Sequence, residues 1–300
     1  MTDERRALLL GLAAVLLWST VASAFKISLR YLSPIQLLFW ASLSSVCILG
    51  LVLTLQGKLK ELLWLPPGSL LRLGLPGLLT PWLYYLVLFK AYKLLPAQEA
   101  QPLNYSWAIT LSLLAVPILG QRLRKKQLAA IALSYFGVLI IATRGDPLSL
   151  EFSDGLGVFL ALGSTLIWAT YWMWQTWSRV DPLQGLFCNF VFALPFIALT
   201  LWLVEGFSLP DERGLASALY VGMFEMGLTF LLWLKALQLT RSTVRIANLI
   251  YLSPFLSLVL IHFVVGEEIL PSSYLGLLFI VGGVLLQQSG GIRSEEEKRG

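Results

Sequence analysis

Gly11-Leu-Ala-Ala-Val-Leu-Leu-Trp18-Ser19-Thr20 returns later in the chain as Leu160-Ala-Leu-Gly-Ser-Thr-Leu-Ile-Trp168-Ala169-Thr170. Other matches keep a similar spacing. Pro34 and Pro182 each open the following helix, and Phe89-Lys90-Ala91-Tyr92-Lys93-Leu94 pairs with Leu234-Lys235-Ala236-Leu237-Gln238-Leu239. Tyr105 pairs with Tyr251, Gly120-Gln121 with Gly266-Glu267, and Gly137-Val138-Leu139 with Gly283-Val284-Leu285. An offset this constant along the whole length marks an internal duplication, with one copy over 7–145 and the second over 155–292.

The duplicated unit is made of long apolar windows. They cover 7–25, 31–57, 73–89, 100–121, 127–143, 155–178, 182–204, 214–234, 246–266 and 269–292, and Glu225 alone among Asp, Glu, Lys and Arg falls inside one. A helix rises about 1.5 Å per residue and a hydrocarbon core is roughly 30 Å thick, so each window predicts a crossing helix. The runs are continuous rather than alternating, which excludes barrel strands. Apolar residues form 57% of the chain and charged residues 13%. A soluble fold of this size has no interior large enough for that much apolar surface. The expected class is therefore an all-α polytopic membrane protein of ten transmembrane helices.

Five helices per copy is an odd number, so the second copy enters the membrane from the opposite side. Two inverted repeats related by an axis in the membrane plane are the usual framework of secondary transport by alternating access to a central site. Lys and Arg set the orientation. With both termini cytoplasmic, sixteen fall on the cytoplasmic side and six on the other. The net charge of +5 is thus mainly a topology signal. The basic run Arg122-Leu123-Arg124-Lys125-Lys126 reads as an anchor touching anionic lipid, not as a nucleic-acid site. Arg5, Arg6 and Ala22-Ser23-Ala24 could frame a secretory leader, but the apolar stretch continues to Phe25 and recurs in the second copy. It is expected to be the first permanent helix, and residues 293–300 a disordered cytoplasmic tail.

Glu225 is the sharpest chemical feature. A carboxylate in the middle of a crossing helix costs on the order of 3 kcal/mol and normally faces a cavity or the bundle interior. It is read as a partner for a substrate amine or as a proton-coupling group, against a structural hydrogen bond to a neighbouring helix. Pro102, Asn104, Tyr105, Ser106 and Trp107 in the fourth helix face a similar set, Asn248, Tyr251, Ser253 and Pro254, in the ninth. Proline frees a carbonyl and Asn, Ser and Tyr supply hydrogen bonds, so both helices are expected to weaken and line a cavity. Trp18, Tyr84, Tyr85, Trp168 and Tyr171 lie deep enough to stack on a substrate ring or cover an amine, against plain packing. Glu99 is a helix-start carboxylate suited to the positive end of the dipole. Cys47 and Cys188 have no neighbouring ligands and read as packing residues.

The Trp18-Ser19-Thr20 helix, the five-plus-five repeat, the Gly-Gln and Gly-Glu ends and the Tyr251-Leu-Ser-Pro254 element together resemble the drug/metabolite transporter superfamily in its EamA-domain branch. Glu99 followed by Asn104-Tyr105-Ser106-Trp107, with Trp168-Ala169-Thr170-Tyr171, is similar to the YddG-type aromatic amino-acid exporters. The resemblance implies an inner-membrane carrier of a bacterium, exporting amino acids or related metabolites through a central cavity. Trp18, Tyr84, Tyr85, Asn104, Tyr105, Trp107, Trp168 and Tyr251 would lie on or near it. Glu225 departs from the YddG pattern and leaves the substrate class open, because related branches carry other metabolites, nucleotide sugars and drugs among them. No cofactor or metal is expected. Enzyme chemistry lacks its constellation, since the chain has one His and a single mid-membrane carboxylate. The expected partners are a small-molecule substrate and membrane lipids, with the protein working as a monomer.

Overall fold

The computed structural model describes residues 3–119, 125–149, 151–177, 181–240, 246 and 249–296. Among them there is no strand. The helices are α1 (Asp3–Tyr31), α2 (Pro34–Leu55), the short α3 (Leu59–Leu63), α4 (Pro67–Gly74), α5 (Tyr84–Leu94), α6 (Ala97–Tyr105) and α7 (Trp107–Leu119). They continue with α8 (Lys125–Ala142), α9 (Gly155–Trp177), α10 (Pro182–Val204), α11 (Glu212–Tyr220), α12 (Thr229–Leu239), α13 (Ser253–Leu260) and α14 (Pro271–Glu296). α14 continues to Glu296, past the window that ended at 292, and residues 297–300 lie outside the described ones.

Among the described residues seven helical stretches are long and apolar enough to cross a membrane: α1, α2, α8, α9, α10, and the interrupted Pro67–Leu94 and Glu212–Leu239. Leu249–Val265 and Pro271–Leu286 are shorter apolar helices. The window at 100–121 is divided at Ser106 into α6 and α7. The chain is an integral membrane protein, with large apolar side chains such as Leu16, Phe159, Trp202 and Phe263 on its outside.

Helix starts follow from local chemistry. Pro34 and Pro182 occupy first-turn positions, where a missing N–H costs nothing. Ser33 caps α2 by accepting from the Gln36 N–H at 3.2 Å, while Gln36 Oε1 accepts from the Ser33 N–H at 3.0 Å. Asp181 caps α10 by accepting from the Leu183 and Gln184 N–H groups.

The packing repeats when the two halves are exchanged. α8 lies along α14, and α2 along α10. Other contacts come in matched pairs: α1 on α12 as α9 on α5, and α1 on α13 as α9 on α7. α2 meets the 221–228 segment as α10 meets 75–83. Glycines permit these close crossings. A Cβ on Gly77 would lie 2.1 Å from the Asn189 carbonyl oxygen, and one on Gly222 only 2.2 Å from that of Ala41. Apolar side chains in lipid gain nothing by leaving it, so backbone approach at small residues carries much of the helix association.

Candidate functional site

Four interruptions in the helices fall at matching places in the two halves. Between α4 and α5 the chain runs through a 3-10 turn, Leu75–Leu78, and a wide π turn, Leu79–Leu83, within which Thr80 is extended. Between α11 and α12 it forms a π segment, Val221–Leu228, which carries Glu225. The other two lie at Ser106, between α6 and α7, and at the 3-10 turn Leu249–Leu252 before α13. Irregular backbone at membrane depth is tolerated only where protein or a cavity covers it, so these four points mark the centre of the bundle.

The Tyr85 hydroxyl donates to Glu225 Oε1 at 3.1 Å, bridging the halves. Among the described residues the other carboxylate oxygen has no hydrogen-bond partner, and the side chain is half-buried, so it faces internal space. The Tyr84 hydroxyl donates to Asn104 Oδ1 at 3.2 Å, and Asn104 Nδ2 donates to Ser164 Oγ at 2.9 Å. The Tyr84 ring stacks on Trp168 with centroids 4.6 Å apart. Trp168 in turn stacks on Tyr171 at 5.8 Å and meets Trp107 edge-on at 6.5 Å. Tyr84 and Tyr85 meet edge-on at 4.8 Å, so Tyr84, Tyr85, Asn104, Trp107, Trp168, Tyr171 and Glu225 form one connected group. Ser19 Oγ donates to Ser253 Oγ at 3.4 Å, which ties α13 to α1, and Tyr105 of α6 lies beside Ser253.

Trp18 and Tyr251 pack on the same apolar cluster as Tyr84 and Tyr85. Trp18 turns toward Phe230 and Trp233, both at 5.4 Å, and Tyr251 packs among the apolar side chains near Ile109, Ile131 and Val284. Asn248 lies outside the described residues.

A cavity of about 240 Å³ runs from Thr80 and Tyr85 past Trp168, Tyr171, Trp172, Phe190, Met226 and Phe230 to Gln175, Asp181 and Pro182. Sequence reasoning missed Thr80, Trp172 and Phe230, which carry no signal that separates them from ordinary membrane-helix residues. Tyr171 is held in place by Gln175 Nε2, which donates to its hydroxyl at 2.7 Å. With its amide turned so that both ends are satisfied, buried Asn189 accepts from Tyr171 at 3.0 Å and donates to the Leu73 carbonyl at 2.6 Å.

The two ends of the bundle differ. At the Asp181 end, Lys58 pairs with Asp181, and Gln184 Nε2 donates to Glu61 Oε2 at 2.8 Å. Burial works against the Asp181 charge, but Lys58 and the Leu183 and Gln184 N–H groups outweigh it and hold the carboxyl below its usual value. The opposite end is bridged between the halves as well. Glu267 accepts from the Ala97 and Gln98 N–H groups at 2.8 and 3.1 Å, and Arg30 donates to the Val265 carbonyl at 3.0 Å. Lys26 Nζ donates to the Tyr92 and Leu95 carbonyls. Glu99 is not the open helix-start carboxylate expected from sequence. It is 1% exposed, accepts from Arg144 Nε at 2.8 Å, and also accepts from Ser153.

The profile of the EamA-like transporter family matches residues 5–143 and again 155–287. An uncharacterized transporter of Archaeoglobus fulgidus is 27% identical over 95% of this chain and 97% of its own length. The uncharacterized transporter YvbV of Bacillus subtilis is 25% identical over 95% and 92%. The aromatic amino acid exporter YddG of Ancylobacter novellus is 26% identical over 92% and 95%. A solved crystal structure superposes with a TM-score of 0.65 over 96% of this chain and 98% of that one, at 24% identity, and shares the fold.

Proposed function

Because the chain belongs to the EamA-like transporter family, we propose that it carries a small amphipathic, amine-bearing metabolite by alternating access, with an amino acid as the leading class. It is a transporter and not an enzyme, as its named relatives are. On this reading ten helices cross a bacterial inner membrane as two inverted halves of five, with both termini cytoplasmic. The Asp181 end then faces the cytoplasm, and the described conformation is open inward and closed outward. One chain holds both halves, so it completes the two-fold by itself and works as a monomer in its lipid.

The carrying observation is the bond between Tyr85, in the first turn of α5 just after one helix interruption, and Glu225, inside the matching interruption of the other half, beside an aromatic cavity. Half-helices meeting at mid-membrane are how transporters of inverted-repeat design build a site that both faces can reach in turn. The exchanged packing supports the same reading, since two arrangements of equivalent contacts are available to one set of helices. The YddG likeness supports an aromatic amino acid, as do the rings of Trp168, Trp172, Phe190 and Phe230 around the cavity.

Purified protein in proteoliposomes, given a panel of radiolabelled amino acids and amines, tests the proposal directly. Saturable flux of an aromatic amino acid is expected. Flux that rises linearly without saturation makes the protein a channel, and none for any solute rejects carriage.

A further inference from the structure

We propose that the protein holds an anionic phospholipid at a fixed place: an acyl chain lies in a groove between the two halves, and its phosphate sits on Arg30 and Arg213.

The groove is a space of about 390 Å³ that shares no lining residue with the aromatic cavity. Thr20, Ala24 and Ile27 form one wall, and their spacing puts them on a single face of α1. Ser217 and Tyr220 of α11 form the second wall. Val264, in the wide turn Ile261–Val265 after α13, belongs to the third. The few polar groups of these walls are already engaged or covered. The Thr20 and Tyr220 hydroxyls share a hydrogen bond at 2.7 Å, Ser217 donates to the Gly214 carbonyl at 2.9 Å, and the Ser23 hydroxyl is buried. A polar solute therefore finds nothing to bond there.

The groove lies against the bilayer. α1 and Glu212–Leu239 are both membrane spans, and Val264 on its wall is 50% exposed. Leu219, Val259 and Phe263, on the same elements, are exposed apolar neighbours. An empty hollow beside lipid forfeits the dispersion contacts of its lining, and an acyl chain restores them.

One end of the groove is basic. Arg30 continues the α1 face three residues beyond Ile27, and it donates to the carbonyl of Val265, next to Val264. Arg213 stands four residues before Ser217 on the same face of α11. A Cβ on Gly214 would lie 3.1 Å from Leu32 Cδ2, so the start of α11 meets the end of α1 and both arginines lie at that end. Both are exposed, and neither forms an ion pair among the described residues. Nearby Asp211 is taken up in capping α11, where it accepts from the Gly214 N–H at 2.7 Å, and Glu212 offsets at most one of the two cations. Arg30 is in the last turn of α1 and Arg213 in the first turn of α11, the level at which headgroups lie. A guanidinium presents a fork that fits phosphate. Hydrocarbon walls topped by two such forks match an amphiphile with an anionic head. A zwitterionic head brings its own cation to the same place and fits less well.

The test is native mass spectrometry of the purified protein in detergent, titrated with phosphatidylglycerol and phosphatidylcholine of equal chain length. The unaltered protein is expected to prefer phosphatidylglycerol. Arg30→Gln and Arg213→Gln should each lower that preference about fivefold, the worth of one arginine near a lipid surface. Lys60→Gln and Arg72→Gln, which remove exposed charges on α3 and α4, should leave it in place. Ala24→Leu fills the groove and should weaken both lipids alike, with melting in detergent to show that the variant folds. Equal affinity for the two lipids, or a preference unmoved by the Arg30 and Arg213 variants, overturns the headgroup assignment and the proposal with it. Folded Ala24→Leu binding both lipids as the unaltered protein does overturns the acyl-chain site.

Discussion

Glu225→Gln keeps the shape of the side chain and removes its charge, leaving the amide able to accept from Tyr85. If the carboxyl couples proton movement to transport, flux by this variant should lose its pH dependence while the protein still folds. A profile identical to that of the unaltered protein would remove the coupling role. Asp181 offers a test of a different kind. Its folded carboxyl titrates below the ordinary range, so its stabilising contribution is present above the unfolded value and lost as pH falls through the folded one. Asp181→Ala should cost about 1 kcal/mol near neutral pH through loss of the cap and the Lys58 pair, and less in acid, where protonation has already removed the pair and only the cap is missing. Asp181→Asn keeps the cap and should cost only a few tenths of that near neutral pH, about the worth of a part-exposed ion pair. Unfolding in detergent at the two pH values reads both. Glu225 was legible in the sequence because a carboxylate inside an apolar window has no cheap explanation. Thr80 and Trp172 were not, because what distinguishes them is a place on the cavity wall, and that is a property of three-dimensional neighbours. Glu99 misled for the same reason: Arg144 and Ser153, which bury its charge, come from a distant connection.

Breaks in the helices were only half readable. Proline pointed to the fourth and ninth windows, and both are interrupted, but not where proline stands. Pro102 lies inside α6, four residues before the break at Ser106, and Pro254 lies in the first turn of α13, just after its break. The interruption holding Glu225 contains no proline at all, so it left no local mark beyond Gly222 and Gly227. Its cause is packing. Gly222 lets the π segment press against α2 at Ala41, and a side chain there must push the helices apart. Gly222→Ala and Gly77→Ala should each destabilise by about 1–3 kcal/mol, the usual cost of overpacking, and lower the melting temperature in detergent. Gly163→Ala, where an added Cβ meets nothing within 4 Å, should be neutral or slightly stabilising. Equal melting of all three would show that the helix crossings do not depend on these contacts.

At the scale of the molecule, the duplication was legible because an offset repeated over the whole chain survives even where single residues drift. The mutual arrangement of the halves is a matter of packing that no single window encodes. Inverted halves make a direct prediction. In a background of Cys47→Ser and Cys188→Ala, Lys125→Cys and Asp146→Cys should react with impermeant thiol reagents from opposite faces of sealed vesicles. Reaction from the same face would end the ten-helix, inverted reading.

The closure at the far end of the bundle has an electrical consequence. Glu267 sits against the first N–H groups of α6, where the helix dipole is positive, and serves that helix as a counter-ion supplied by the other half. Parting the halves there strips the helix start of its anion and gives Glu267 to water. Dissolved anions can take the vacated place, and screening weakens the attraction that draws the two back together. On the alternating-access proposal, ionic strength on that side of the membrane is thereby a lever on how long the carrier stays open to it.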